Sequence, residues 1–484
     1  MNIIDLLVFI AYMLSMLGIG IYFMNKNEGA SDFFLAGREM GSVHIGLSVV
    51  ATDVGGGFSI GLGGLGFVMG ISGSWMLFTG LIGAWISAVI LIPRVKQMST
   101  DLDFYTFPDI FDHFYNSKVA FIAGIISAIG YIGFTSSQVL AGAKLASASF
   151  IHLDIQAALY IMGGIIVLYT FMGGMKAVIY TDTVQWIILM TGLIFVGIPV
   201  SYFALGGWSA ISHAVPDKMF SLSNISWQQI LNWGITIIPI WFVGMTLYQR
   251  IYASRTEKEA KKAWYLAGLF EWPIMAFMGV LLGLFGKVAA MQGMFNYLGH
   301  ETVASMDPEL GLPMLLRTVL PVGLMGVMMS AYFSAIMSTA DSCLIAASGN
   351  VTSDILRKIF KWEHDDDKLL RISQIVTLVL GVLALLLASF MHSVLNLMLY
   401  SYAFMVSGLL IPILGALFWE GSTATGALWS MIVGGFTTVV LSIQNAFTLP
   451  LELDANIFGI TASLVVFVVI SKITQTREYK LQNA

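Results

Sequence analysis

The amino-acid sequence predicts an all-α integral membrane protein with about thirteen transmembrane helices. Of its 484 residues, 57% are hydrophobic and only 11% are charged, whereas about a quarter of the residues in soluble domains are charged. Apolar runs long enough to cross a bilayer core recur along the chain, and a helix satisfies the backbone groups of such a run in lipid. The formal net charge of −5 and the lack of a basic stripe argue against a nucleic-acid partner.

The predicted spans are apolar runs of about twenty residues. The run 3–24 is too long for a signal-peptide core and has no basic region before it, so we interpret it as a retained span. No connection is long enough for a soluble core, which predicts a single membrane domain over 1–484. The spans are 3–24, 45–69, 74–95, 119–149, 154–172, 179–205, 229–252, 263–290, 313–346, 369–391, 394–418, 424–444 and 455–474.

Basic residues predict the orientation, because cytoplasmic connections carry an excess of Lys and Arg. With alternating spans, the basic clusters fall on one side, whereas the connection 291–312 has acidic residues without a Lys or Arg. The N-terminus is therefore expected outside and the C-terminus in the cytoplasm, with the protein in the inner or plasma membrane.

Polar groups inside apolar spans are the most informative, because each is costly there. In the second span, Asp53 comes shortly before Gly55, Gly56 and Gly57. A glycine weakens a helix by about 1 kcal/mol relative to alanine, and a mid-membrane Asp costs about 2.5–3.5 kcal/mol. Together they predict a discontinuous helix whose free carbonyls hold a cation. Close helix packing explains the glycines but not Asp53.

Two later spans carry related signals. The seventh contains Pro239, which removes a backbone donor and commonly kinks a helix, and broken helices in corresponding spans are typical of inverted-repeat transporters. In the ninth, Ser338, Asp341 and Ser342 share a helix face, with Thr339 adjacent. Hydroxyl and carboxylate oxygens are hard ligands that favour Na⁺ over soft metals.

Two further acids leave alternatives open. Asp182, near the start of the sixth span, either caps that helix or takes part in ion binding. Glu271, beside Pro273, is an intramembrane acid for which the sequence names no partner. Cys343 is the only cysteine, and no nucleophile, phosphate-loop or metalloprotease motif is present, so the sequence does not predict an enzyme.

Several ordered motifs indicate a family. They are Gly37-Arg38-Glu39-Met40-Gly41, Ala51-Thr52-Asp53, Gly70-Ile71-Ser72-Gly73-Ser74-Trp75, Ala141-Gly142-Ala143-Lys144-Leu145, Tyr169-Thr170-Phe171-Met172-Gly173-Gly174, Thr181-Asp182-Thr183-Val184-Gln185 and Met337-Ser338-Thr339. With these motifs the chain resembles the sodium:solute symporter family over nearly its whole length, within the branch of the sodium/proline, pantothenate and high-affinity choline transporters.

The resemblance implies a LeuT-type core of two inverted five-helix repeats. The core would cover 45–418, with one preceding helix at 3–24, two C-terminal helices within 424–474 and a short cytoplasmic tail at 475–484. This arrangement agrees with the spans predicted above.

The resemblance also implies the site residues. A sodium ion would be held by the backbone carbonyls of Ala51, Val54 and Ala335 and the hydroxyls of Ser338 and Thr339. A second sodium ion would be held by Asp182, Ser338, Asp341 and Ser342. The positions expected to line the substrate site are Asp53, Gly56, Ser137, Gln138, Trp241 and Phe242.

The function that follows is sodium-coupled symport of a small organic solute by alternating access, with Na⁺ as the co-transported ion. The solute would be an amino acid such as proline, or a choline- or pantothenate-like compound. No obligate protein partner is evident. The alternatives are a proton-coupled symporter using Asp53 and Glu271, and a membrane sensor that does not transport.

Overall fold

The computed structural model describes residues 2–24, 38, 40–53, 56–150, 153–299, 302–360, 366–443 and 449–482, and some side chains in these ranges, notably those of 173–183 and 476–482, are outside the description. The described residues form helices and no β-strand, with one isolated bridge between Met40 and Ser254. The helices are α1 (Ile3–Met24), α2 (Ser42–Asp53), α3 (Gly56–Met69), α4 (Trp75–Ile90), α5 (Ile92–Asp101), α6 (Pro108–Phe114), α7 (Ser117–Ser149), α8 (Ile155–Gly192), α9 (Ile198–Ala204), α10 (Gly207–Ala214), α11 (Trp227–Val243), α12 (Met245–Ala253), α13 (Glu257–Leu269), α14 (Ala276–Met291), α15 (Gly311–Val319), α16 (Leu324–Gly349), α17 (Arg357–Phe360), α18 (Asp366–Ala388), α19 (Val394–Phe418), α20 (Ala424–Ile443) and α21 (Ala455–Gln482).

Short helical segments of other types join several of these helices. The π-helical segments are Leu193–Gly197, Phe270–Met275 and Asn350–Leu356, and the 3₁₀ segments are Gly70–Ser74, Asp217–Phe220, Asn296–Leu298, Val303–Ser305, Pro308–Leu310 and Pro450–Glu452.

Within the described part of the chain, nine helical stretches are long and apolar enough to cross a membrane, or ten if the bent pair α11 and α12 is one span. These stretches confirm the predicted polytopic, all-helical architecture. In α1 the apolar part is shorter, Ile3–Ile19, and α2 has 12 described residues. The count of about thirteen spans stays a prediction.

Two predicted boundaries differ from the structure. The spans predicted at 154–172 and 179–205 share one helical element, since α8 continues through the expected connection. The glycines there weaken a helix, but without proline they do not end it. Conversely, the span predicted at 313–346 is divided into α15 and α16, because Pro321 cannot continue a helix and Gly323 adopts a positive φ of 88°.

Of the two predicted helix breaks, one falls on described residues. The other does not: α2 is described to Asp53 and α3 from Gly56, and residues 54–55 between them lie outside the described residues, so a break after Asp53 stays a prediction. At the described break, α11 and α12 meet at Gly244 with a bend of 42°. The predicted cause of this break was wrong: Pro239 lies inside α11, five residues before the bend, and Gly244 in an extended conformation ends the helix.

The helix α16 lies at the centre of the protein. It packs against α7, α8, α1 and α2, and most of its side chains are buried, including Ser330, Ser334, Ser338 and Thr339. Buried hydroxyls need hydrogen-bond partners. The contacts that the hydroxyls of α16 make with neighbouring helices therefore locate the candidate functional site.

Candidate functional site

The end of α2 meets the middle of α16 through one threonine. The Thr339 hydroxyl donates to the Ala51 carbonyl oxygen at 2.8 Å and lies 3.2 Å from the Ala335 carbonyl oxygen of its own helix. Ser338 is the preceding residue and is buried. Val54 lies outside the described residues. The structure thus brings together three of the five predicted ligands of the first sodium site, and all three contribute hard oxygen atoms.

A buried arginine in α12 joins α2 to α16. Arg250, in α12, donates to the Ser48 and Thr52 hydroxyls of α2 and to the Ser342 hydroxyl of α16, the last at 2.8 Å. Its guanidinium also donates to the Thr246 carbonyl oxygen. The planar, five-donor guanidinium is suited to such a multidentate role. Ser342, predicted as a sodium ligand, therefore has a cation beside it.

The residues predicted for a second sodium ion are only partly described. Thr170 of α8 donates a short hydrogen bond to the Asp341 carboxylate of α16, which places this acid at the contact between α8 and α16. The Asp182 side chain lies outside the described residues, so whether it approaches Asp341 stays a prediction.

At the end of α2, Asp53 lies among residues from two other helices. The Tyr402 hydroxyl of α19 donates to the Asp53 carboxylate at 3.1 Å, and Phe134 packs edge-on against the Tyr402 ring. The Glu271 carboxyl lies within hydrogen-bonding reach of the Asp53 carboxyl. Asp53, Glu271 and Tyr402 therefore form a buried polar cluster at the end of α2.

Two predicted substrate residues support the beginning of α3. The Gln138 side-chain oxygen accepts from the Gly57 backbone N–H at 3.1 Å, and its side-chain nitrogen donates to the Ser137 hydroxyl. The first N–H groups of a helix lack partners within it, and Gln138 supplies one. A Cβ atom at Gly57 would lie 2.2 Å from this oxygen, so the contact requires glycine. The side-chain environment of Gly56 is outside the description.

The other two predicted substrate residues lie in the last turn of α11. Trp241 is fully buried and packs edge-on against Trp264, with Gly83 of α4 on its other side. The Phe242 carbonyl oxygen accepts from the Tyr248 hydroxyl. Both residues are within three positions of the break at Gly244, although much of the Trp241 surface is used for packing.

A second polar cluster lies beside the loop before α15. The Lys144 ammonium of α7 forms ion pairs of 2.6 Å with Asp307 and with Glu309. Glu309 also accepts from the Ser393 hydroxyl and from the backbone N–H groups of Val394 and Leu395, at the beginning of α19. A carboxylate at a helix N-terminus is favoured by the free N–H groups and the helix dipole. This second cluster, formed by Lys144, Asp307 and Glu309, joins α7, the loop and α19.

Sequence reasoning missed Tyr402 and Arg250, and it left Glu271 without a partner. Nothing local marks Tyr402, since a tyrosine in an apolar span is ordinary. Arg250 carried a usable signal: its placement in the predicted seventh span makes it an intramembrane charge, and such charges are functional by default.

The comparisons with known proteins decide the family. The model of the sodium:solute symporter family matches residues 33–434, which is most of the chain. The osmoregulated proline transporter OpuE of Bacillus subtilis is 30% identical over 477 residues, covering 96% of this chain and 94% of that protein. The chain belongs to the sodium:solute symporter family. It is a transporter and not an enzyme, and it couples the movement of a small solute to that of Na⁺ across the cell membrane.

Other sodium:solute symporters resemble it over similar lengths. The high-affinity proline transporter PutP of Bacillus subtilis is 28% identical, covering 95% of this chain and 96% of that protein. The sodium/proline symporter of Salmonella typhimurium is 26% identical, with coverages of 96% and 93%.

Solved structures show the shared fold. A Na⁺-coupled sialic acid symporter in a substrate-bound, outward-open state matches with a TM-score of 0.79 and 20% identity, covering 98% of each chain. MHP1, a transporter of the nucleobase-cation-symport-1 family, matches with a TM-score of 0.59 and 13% identity, covering 93% of this chain and 96% of the other. At these identities the likeness concerns the fold alone.

Proposed function

We propose that this symporter takes up a small amino acid of the proline type together with Na⁺ by alternating access. The support for this substrate is the run of proline transporters among its relatives. Choline- and pantothenate-like solutes are the other members of the expected set. The observation that carries the sodium part is the contact between the Thr339 hydroxyl and the Ala51 carbonyl, which joins α16 to the end of α2.

The first sodium ion would bind at this junction. The Ala51 and Ala335 carbonyls both lie within 3.2 Å of the Thr339 hydroxyl oxygen, and Ser338 and Val54 complete the proposed ligand set. An ion held there attracts oxygens from both helices, so it favours the conformation in which they touch. Asp182, Ser338, Asp341 and Ser342 remain the proposed ligands of a second ion.

The proposed core is a LeuT-type pair of inverted five-helix repeats over 45–418 in a single domain, 1–484. Support comes from the bend between α11 and α12, which lies five predicted spans after the break proposed behind Asp53. With one helix before the core and two after it, the N-terminus is outside and the C-terminus cytoplasmic, as the basic residues favour.

Coupling requires only that Na⁺ and solute favour the same conformations, so each raises the affinity for the other. At a potential of 100 mV, each Na⁺ contributes about 2.3 kcal/mol, or about a fiftyfold accumulation of a neutral solute. The lining positions proposed for the solute are Asp53, Gly56, Ser137, Gln138, Trp241 and Phe242.

The test is sodium-gradient-driven uptake of labelled proline and other small amino acids into proteoliposomes. We expect Thr339→Val to abolish uptake at low Na⁺, because the substitution keeps the side-chain shape and removes the oxygen. Ser330→Ala is the matched control, since the Ser330 hydroxyl bonds within α16 to the Gly326 carbonyl. Uptake driven by a proton gradient in sodium-free buffer, unaffected by Thr339→Val, would contradict the sodium assignment.

A further inference from the structure

Glu271, the second acid of the buried cluster with Asp53 and Tyr402, has no hydrogen-bond donor among the described residues. Glu271 lies in the π-helical segment between α13 and α14 and is fully buried. No N–H or O–H among the described residues donates to either of its carboxyl oxygens. The one charged group that acts on it in the described part of the chain is another acid, Asp53. A buried carboxyl group without a hydrogen-bond donor is rare and requires an explanation.

Among the described residues, Asp53 has a cation nearby and Glu271 does not. Arg250 lies close enough to attract Asp53, whereas Asp53 is the one charged group acting on Glu271. When both acids are ionised they repel each other, and an uncompensated buried charge costs several kcal/mol. Either a shared proton or a positively charged group that donates hydrogen bonds satisfies such a pair, and the two differ in what they predict for solute binding.

The surroundings of the pair favour an organic cation. Glu271 lies against Gly80 of α4, and Trp241 lies against Gly83 one turn further along the same helix. On the Asp53 side, Tyr402 donates to the carboxylate, and Phe134 packs against the Tyr402 ring. Aromatic rings beside acids suit an alkylammonium group, whose methylene groups pack on the rings while its N–H groups meet carboxylates.

We propose that Asp53 and Glu271 together bind a primary or secondary ammonium group of the transported solute, one N–H to each carboxylate. This inference rests on the proposed function, because it names the chemical class recognised at the same site. It makes Glu271 a specificity-determining residue. A quaternary ammonium group has the charge but no N–H, and a solute without an amine has neither.

The experiment uses pairs of solutes that differ only at nitrogen. Binding of proline and of its N,N-dimethyl counterpart is measured by thermal unfolding of the purified protein in Na⁺, with alanine and its trimethylated counterpart as a second pair. We expect the amine of at least one pair to bind wild type at least tenfold more tightly than the methylated compound. Glu271→Gln should weaken binding of that amine at least tenfold and leave binding of the methylated compound nearly unchanged.

Two controls keep the result interpretable. The unfolding midpoint of Glu271→Gln should still rise with Na⁺, which shows a folded protein with its ion site. Glu271→Asp, which retains the charge, should bind the amine with intermediate affinity. An unchanged amine affinity in Glu271→Gln overturns the proposal. So does a loss of pH dependence without a loss of affinity, which would assign Glu271 to a proton.

Binding by wild type of neither amine also overturns the proposal. The proposed function fails separately. If the amine binds as described but a sodium gradient does not drive its uptake, recognition by Glu271 stands and sodium coupling of that solute does not.

Discussion

Glu309 and Glu271 are both buried glutamates, but they differ in the hydrogen bonds that they receive. Glu309 receives hydrogen bonds from Lys144, Ser393 and two backbone N–H groups. Glu271 receives none from the described residues. A buried carboxylate whose oxygens are satisfied by the protein stabilises the fold, whereas one left without donors is retained at a cost in stability. The comparison separates an acid that stabilises the fold from one that the described residues leave without a hydrogen-bond donor.

Asp53 lies between these extremes. It has one described side-chain donor, Tyr402, and the nearby charge of Arg250. The three acids thus form a series in the number of protein donors, from Glu309 through Asp53 to Glu271. If the series has functional meaning, loss of the carboxylate should reduce stability most at Glu309 and least at Glu271.

The largest expected effect on stability is that of Glu309→Gln. This substitution removes one of the two carboxylates paired with Lys144, which is 2% exposed, and breaking a buried pair costs about 3–5 kcal/mol. The thermal unfolding midpoint in detergent should fall clearly below that of wild type. Asp307→Asn is the matched control, because Asp307 pairs with the same ammonium at 2.6 Å but is 37% exposed, and exposed pairs are worth about 1 kcal/mol or less.

For the same measurement, Glu271→Gln should leave the unfolding midpoint unchanged or raise it, because no protein hydrogen bond from the described residues is lost. A fall as large as that of Glu309→Gln would remove the distinction between the two acids. It would indicate that Glu271 is part of the structural framework.

The sequence could predict the all-helical membrane fold, because it follows from local composition, whereas the break after Asp53 stays a prediction. Apolar runs and an acid beside glycines have the same cost wherever the helix packs. The second break was expected at Pro239 and occurs at Gly244. The Tyr131 hydroxyl from α7 bonds to the Thr246 backbone N–H just beyond this bend, a contact between residues 115 positions apart that no local pattern contains.

The sequence indicated the site residues that belong to a motif. It did not indicate those that meet only through contacts between distant parts of the chain. The contact of Ala51 with Thr339 follows from residues singled out in the sequence. The meeting of Glu271 with Asp53 does not, since it depends on the path of α13 and the π-helical segment beside α2 and α4. Gln138 was expected from the family resemblance to line the substrate site; its side-chain oxygen accepts from the Gly57 N–H at the beginning of α3, and its role in substrate binding stays a prediction.

A smaller effect is expected for Tyr402→Phe, which removes the donor to Asp53 and keeps the ring. A hydrogen bond to a charged group contributes about 1.5–3 kcal/mol, and a less firmly held Asp53 should weaken solute binding about tenfold. Tyr252→Phe is the control, because the Tyr252 hydroxyl contacts only a backbone oxygen, that of Thr106, at 3.3 Å. Solute affinity measured by thermal shift in Na⁺ tests this, and equal affinities in the two variants would contradict a role for Tyr402 at the site.

The smallest effect is expected for two buried lysines, Lys144 and Lys96. They differ in their partners much as Glu309 and Glu271 do. Lys144 has two carboxylate partners, whereas Lys96, beyond the end of α4, donates to the Tyr252 carbonyl oxygen. Burial, with a lesser contribution from the nearby charge of Arg38, lowers the pKa of Lys96 from 10.5 to about 8. The folded state therefore disfavours the charged form, which is the reverse of a stabilising ion pair.

The sign of the pH effect follows from proton binding. Between the folded pKa of about 8 and the unfolded value of 10.5, the unfolded chain holds a proton at Lys96 that the folded chain has released. Stability therefore rises with pH in this window. Lys96→Met should unfold at a slightly higher temperature than wild type at pH 7.5, and the two should converge as the pH approaches 10. Lys144→Met should instead lower the midpoint throughout, because it leaves Glu309 without its cation. Parallel pH profiles for wild type and Lys96→Met would show that this lysine is satisfied where it lies.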